Sequence, residues 1–201
     1  MKKGILLVVS APSAGGKGTI LKELFQQNET LRMSVSATTR QPRPGEVDGK
    51  DYYFVSRETF QQWVDTGSML EHAEYVGNCY GTPKAPVEEW LNQGLDVVLE
   101  IDVQGGSQIK NLTPDCVSVF ITPPTMEVLE KRLRDRGTED EETICKRLAT
   151  ARQELTFAEG YDYIVINDKL EDAVEDMQAI LRSEKRKSAR NPGFIQRVLN
   201  I

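Results

Sequence analysis

Ser10-Ala11-Pro12-Ser13-Ala14-Gly15-Gly16-Lys17-Gly18-Thr19 follows a short apolar run and precedes an amphipathic one. A loop of small residues between a strand and a helix lets backbone N–H groups turn inward toward phosphate oxygens, and the helix N-terminus adds its positive dipole end. Lys17 supplies a mobile charge for the β- and γ-phosphates of a nucleoside triphosphate. The pattern departs from GxxxxGK plus Ser or Thr at two places. Ala11 stands for the first glycine, and Gly18 stands where a hydroxyl residue ordinarily meets Mg2+, leaving Thr19 or a water molecule to do so. The loop marks an ATP or GTP phosphate site without naming the reaction.

Further along, Arg40 and Arg43 lie three residues apart on a loop stiffened by Pro42 and Pro44. Paired guanidiniums on a constrained loop suit bidentate capture of a monophosphate. Glu46 follows closely and is placed to orient them. Asp48-Gly49 signals a tight turn, and beyond it a Tyr52 hydroxyl is within reach of the same phosphate. Leu70-Glu71-His72-Ala73 alternates, so Glu71 and Ala73 share a face. A carboxylate at Glu71 is an acceptor for the N1–H and exocyclic amine of guanine, donors that adenine does not present in that arrangement. Tyr80-Gly81-Thr82 adds a phenol and a hydroxyl.

Val97-Val98-Leu99-Glu100-Ile101-Asp102 is an apolar strand ending in two acids that point the same way, the position of a carboxylate beside Mg2+ in P-loop enzymes. Arg132 and Arg136 share a helix face, Gly137 breaks that helix, and Arg147 follows on the next. Thr138 with Glu141 forms a capping-box pattern at the start of that second helix. Helix, hinge and helix with arginines on both arms describe a closing lid that brings cations to a transferring phosphoryl group.

These groups need a frame, and the hydrophobic pattern supplies one. Strands are expected at Ile5–Val9, Val97–Ile101, Val117–Ile121 and Tyr163–Ile166. Helices are expected at Gly18–Gln27, Lys84–Gln93, Thr125–Arg136, Glu141–Ala158 and Leu170–Ala189. The alternation predicts an α/β fold: a P-loop core with a parallel sheet flanked by helices. Met33–Ala37, Tyr52–Val55 and Met69–Val76 are strand-like, with a helical patch at Arg57–Asp65, predicting a small α+β insertion. Residues 1–33 and 83–201 would form the core, 34–82 the insertion, and about 132–155 the lid.

Thirty-one acids against 25 bases give a net charge of −6, which excludes a bulk polyanion such as duplex DNA as partner. Cys79, Cys116 and Cys145 show no metal-ligand spacing and predict reduced thiols in a cytoplasmic protein. The apolar start is too short for a leader or a membrane span and is expected to be a buried strand.

Taken together, Ser36, Arg40, Arg43 and Glu46, then Gly49, Asp51, Tyr52 and Phe54, then Asn78, Tyr80, Gly81 and Thr82, then Glu100, Ile101, Asp102, Gln104 and Gly105, resemble the signature of the guanylate kinase family. The similarity runs in order from Ser10 to the Asn167-Asp168 pair. It implies Mg2+-dependent phosphoryl transfer from ATP to GMP, with the loop from Ala11 to Thr19 on ATP and Asn167 near its adenine. It also implies Ser36, Glu71, Thr82 and Asp102 on guanine, and Arg40, Arg43, Tyr52 and Tyr80 on the GMP phosphate. Lys17, Arg132, Arg136 and Arg147 carry the catalytic charge, while Thr19 and Glu100 attend the metal, largely through water. Two other readings stay open: a non-catalytic binding module of the same fold, and a related P-loop kinase with another acceptor.

Overall fold

The computed structural model describes residues 3–75, 77–135, 137 and 140–200. Five strands, β1 (Leu6–Ser10), β2 (Leu31–Met33), β7 (Asp96–Glu100), β8 (Val117–Thr122) and β9 (Tyr163–Ile166), form one sheet in the order β2-β7-β1-β8-β9. Every pairing in it is parallel. β1 is apolar on both faces because both are covered, as parallel sheets require. Leu7 and Val9 pack with Ile20, Leu21 and Leu24 of α1 (Lys17–Gln26) and with Ala173, Val174 and Met177 of α7 (Leu170–Arg186). Leu6 and Val8 face the other way, toward Val87 and Leu91 of α3 (Lys84–Asn92) and Ile109 of α4 (Val103–Leu112).

A second sheet holds β3 (Ala37–Thr38), β4 (Tyr53–Phe54), β5 (Met69–Tyr75) and β6 (Asn78–Pro83) in the order β4-β3-β6-β5. Its pairings are antiparallel except between β3 and β4. Helix α2 (Arg57–Asp65) packs beside it, begun by Ser56, whose side chain accepts from the Thr59 N–H. Helices α5 (Met126–Asp135) and α6 (Glu141–Leu155) pack on each other through Leu129, Leu133 and Ala151. A short α8 (Phe194–Leu199) follows α7.

Several expectations need correction. Met33–Ala37 is not one strand: Leu31–Met33 pairs with β7 in the large sheet, and Ala37–Thr38 opens the small one. Helix α4 is not among the expected helices, and its Gly105 and Gly106 are poor helix formers. Packing needs both glycines. A Cβ on Gly106 would lie 2.3 Å from the Tyr161 hydroxyl, and one on Gly105 would lie 3.2 Å from Glu71 Oε2. α6 begins from Asp140, whose carboxylate accepts from the Thr143 N–H at 2.8 Å; Thr138, the cap expected from sequence, lies outside the described residues. Among the described residues, no helix is long and apolar enough to cross a membrane.

Candidate active site

The carboxyl ends of β1, β2 and β7 open onto one cleft of about 800 Å3. This is where ligands bind in open α/β sheets. Its floor is the loop from Ala11 to Gly16 with Lys17, Gly18 and Thr19 at the start of α1; its walls include Ser36, Tyr52, Glu100 and Asp102. The loop backbone curls inward, with Ala14 at φ 64° and Gly16 at φ 90°. Alternation into the left-handed region is how successive amides form an anion-binding concavity. For Ala14 that conformation carries strain, which its neighbours must hold in place.

Asn167, at the end of β9, is one such neighbour. It is 7% exposed, and its Nδ2 donates to the Gly15 carbonyl at 2.9 Å. Arg132 donates from Nη2 to the Asn167 carbonyl at 2.8 Å. Its Nη1 is buried without a hydrogen-bond partner among the described residues, about 4.0 Å from where a Gly16 Cβ would sit. A buried guanidinium N–H beside the phosphate loop is a donor waiting for an anion. Gly16→Ala would put a methyl 2.1 Å from Asn167 Nδ2 at a positive φ. It is expected to cost about 2–4 kcal/mol of stability, measurable by urea denaturation, and to abolish nucleotide binding. Neither Asn167 nor Asp168 caps α7, whose N-cap position is Lys169.

Lys17 Nζ donates to the Ile101 carbonyl at 3.2 Å and stands 3.8 Å from Glu100. Burial pulls its pKa below the ordinary lysine value, while the Glu100, Asp102 and Glu154 carboxylates pull the other way and help keep it charged. Ser13 Oγ accepts from Arg147 Nη1 at 3.3 Å, and the Ser13 N–H donates to Glu154 Oε2 at 3.0 Å. Arg136 lies outside the described residues. Arg134, by contrast, is held by Glu130 at 2.8 Å and Glu141 at 2.6 Å, well away from this role.

A smaller cavity of about 240 Å3, lined by Ser36, Tyr52, Glu71, Ala73, Tyr80, Gly81, Glu100, Ile101 and Asp102, shares five of those residues with the large cleft. The β5–β6 register sets Glu71 opposite Thr82 and Ala73 opposite Tyr80. Thr82 Oγ1 therefore donates to Glu71 Oε1 at 2.7 Å across the strands. Glu71 is 7% exposed and Thr82 fully buried. Burial pushes the Glu71 carboxyl above its ordinary pKa, and the Thr82 bond only partly offsets this. The Glu71 carboxylate lines this smaller cavity. Asp102 borders both cavities, and its Oδ1 caps α4 by accepting from the Gln104 and Gly105 N–H groups at 2.9 and 2.8 Å.

Beside Tyr52, Arg40 makes a two-pronged ion pair with Glu46, at 3.0 and 2.8 Å, and lies 5.5 Å over the Tyr52 ring. The same carboxylate accepts from the Arg43 N–H at 2.7 Å. Glu46 thus meets the Arg40 guanidinium and the Arg43 backbone. Arg43 is exposed, while Tyr52 and Tyr80 stack edge to face at 6.2 Å between centroids.

Among the described residues, no group of three or more acids, histidines or cysteines is arranged to hold a metal. Sequence reasoning missed Glu154 and the cleft-lining Lys50, and gave Asp51 no role beyond its place in the family signature. Glu154 carried one signal, its position seven residues after Arg147 on a single helix face.

A glycine loop between β1 and α1, a parallel sheet covered on both faces and a lysine aimed at the strand ends define a P-loop nucleotide-binding protein. The comparisons make this particular. The chain belongs to the guanylate kinase family: that family's model matches residues 3–184. It is 47% identical over 195 residues to the guanylate kinase of Clostridioides difficile, covering 97% of this chain and 95% of the relative. It is 56% identical over 179 residues to that of Gloeobacter violaceus, covering 89% and 87%. The crystal structure of guanylate kinase from Anaplasma phagocytophilum superposes with a TM-score of 0.75 at 37% identity, covering 94% of this chain and 90% of that one.

Proposed function

We propose that the protein transfers the γ-phosphoryl group of ATP to GMP, giving ADP and GDP, in the cytoplasm. The observation that carries this reading is the continuity of the phosphate-loop cleft with the Glu71 pocket through Ser36, Tyr52, Glu100, Ile101 and Asp102. Two nucleotides held in these spaces meet phosphate to phosphate. A GMP phosphate oxygen attacks the γ-phosphorus in line, the bond to the bridging β–γ oxygen breaks, and ADP leaves with that electron pair. The attacking oxygen is already anionic, so no general base is required, and positioning and charge stabilisation do the work.

In this reading the loop from Ala11 to Thr19 cradles the triphosphate. Lys17, Arg132, Arg136 and Arg147 neutralise the charge spreading over the equatorial oxygens. Asn167 braces the loop and borders the base of ATP. Ser36, Glu71, Thr82 and Asp102 select guanine. Arg40, Arg43, Tyr52 and Tyr80 hold its phosphate, with Glu46 orienting the arginines. Residues 34–82 serve as the acceptor-binding part and about 132–155 as the lid.

Mg2+ keeps several waters and binds through one or two carboxylates plus substrate phosphates. The donor set fits that habit: Glu100 borders the cleft beside Lys17, and Thr19 lines it from α1. Glu100 and Thr19 would hold the ion largely through water. When bound, it neutralises the β- and γ-phosphate oxygens.

The test is coupled ADP release with GMP, AMP, CMP and UMP as acceptors. Turnover with GMP alone, or at least a hundredfold preference for it, is the expected result. No turnover with any acceptor would favour the non-catalytic module, and preference for another would reassign the Glu71 pocket. Arg40→Ala is expected to raise the KM for GMP about a hundredfold with a smaller change in kcat, since a bidentate phosphate contact is present before and during transfer. Steady-state kinetics with GMP varied at saturating ATP would show it.

A further inference from the structure

Among the charged side chains that line the phosphate-loop cleft without a part in the proposed reaction, Glu154 is the one that bonds the loop itself. Glu154 lies in the last turn of α6, borders the cleft, and accepts from the Ser13 N–H at 3.0 Å. Two helical turns earlier on the same face, Arg147 donates to the Ser13 hydroxyl. The helix is thus fastened to one residue of the loop by both its backbone and its side chain.

Backbone N–H groups of such a loop serve as phosphate donors. A carboxylate on one of them is chemically a stand-in for a phosphate oxygen: an anionic acceptor on the same donor. A single N–H does not serve both at full strength, and two anions so close repel.

We propose that Glu154 is a positioning residue that couples the loop to α6. Its carboxylate and a nucleotide phosphate compete for the Ser13 N–H, so that nucleotide binding breaks the Glu154 bond and frees the end of α6 to carry Arg147 toward the transferring group. This rests on the reading of the loop as a nucleotide phosphate site. The latch must be expelled by the ligand, so it lowers nucleotide affinity by the ratio of latched to open protein. The Glu154 carboxylate also adds to the field that keeps Lys17 protonated, as a phosphate on the loop would.

A structural brace predicts the opposite sign, because removing it would disorder the loop and weaken binding. Calorimetric titration with metal-free ADP separates the two. Glu154→Gln removes the charge, whereas Glu154→Asp keeps it but withdraws it from Ser13 by one methylene. Both variants are expected to bind ADP about three- to tenfold more tightly than the wild type. The KM for ATP should fall in step while the KM for GMP stays unchanged. Amide hydrogen exchange in α6 should be faster in the nucleotide-free variants, as it becomes in the wild type on adding ADP.

Tighter binding in Glu154→Gln alone would assign the effect to charge repulsion and overturn the latch. Unchanged or weaker binding in both variants would overturn it too, while leaving the phosphate-site reading intact if the wild type binds ADP. Failure of the wild type to bind ADP would end both. Thermal unfolding within a few degrees of wild type identifies each variant as folded, and tighter binding in both is required to sustain the latch.

Discussion

Lys17→Met is expected to lower kcat about 10^3-fold or more, with the KM for GMP within about twofold of wild type. Methionine keeps the apolar stem that packs beneath the loop but removes the ammonium. In the proposed reaction that ammonium meets the growing charge on the transferring group, and preorganised cations there are worth about 10^3 to 10^5 in rate. Lys17 does not itself line the Glu71 pocket and meets it only through Glu100 and Ile101, so GMP binding should be largely spared. Folding should be little affected. Lys17 is held by the Ile101 carbonyl and by Glu100 at 3.8 Å, contacts that offset its own burial rather than stabilise the chain strongly. Steady-state and single-turnover measurements of ADP formation check both numbers; a variant with wild-type turnover would remove Lys17 from the chemistry.

Glu71→Gln is expected to lower kcat/KM for GMP about 10^2- to 10^3-fold while leaving the fold as stable as before or more so. A carboxylate presents two acceptors to the N1–H and exocyclic amine of guanine. An amide presents one acceptor and sets a donor against a donor, and a mismatched polar contact in a buried pocket costs about 3–4 kcal/mol. The stability change runs the other way. Burial raises the folded-state pKa of Glu71, so the folded chain binds that proton more tightly than the unfolded chain. The stability linked to the proton is fully present below the unfolded pKa and is lost as pH rises through the raised folded value. Above that raised value the wild type therefore bears the cost of an ionised, buried carboxylate that glutamine lacks. The same shift predicts that the wild-type KM for GMP climbs as pH falls through that raised pKa and that the variant shows no such limb. Melting curves and GMP kinetics across the acid range would show both effects. A Glu71→Gln enzyme with normal GMP selectivity would remove this residue from base recognition.

What sequence alone determined is local. The phosphate loop is legible because its backbone geometry is set by small residues within ten positions of one another. Helix α2 matches its expected limits because Ser56 caps it and its apolar residues repeat at helical spacing. Arg40, Arg43 and Glu46 meet as expected, since six residues and two prolines leave the loop few ways to close.

Tertiary structure decided what depends on contacts between distant segments. Leu31–Met33 carries no mark that assigns it to the large sheet; it goes there because β7 offers an open edge. The glycines of α4 make sense only once Glu71 and the Tyr161 hydroxyl are packed against them. Asn167 reaches Gly15 across 152 positions, and Glu154 reaches Ser13 across 141. Periodicity reports the neighbours a residue has along the chain; packing chooses the partners that close the cleft, and those partners hold the loop in its strained, anion-ready form.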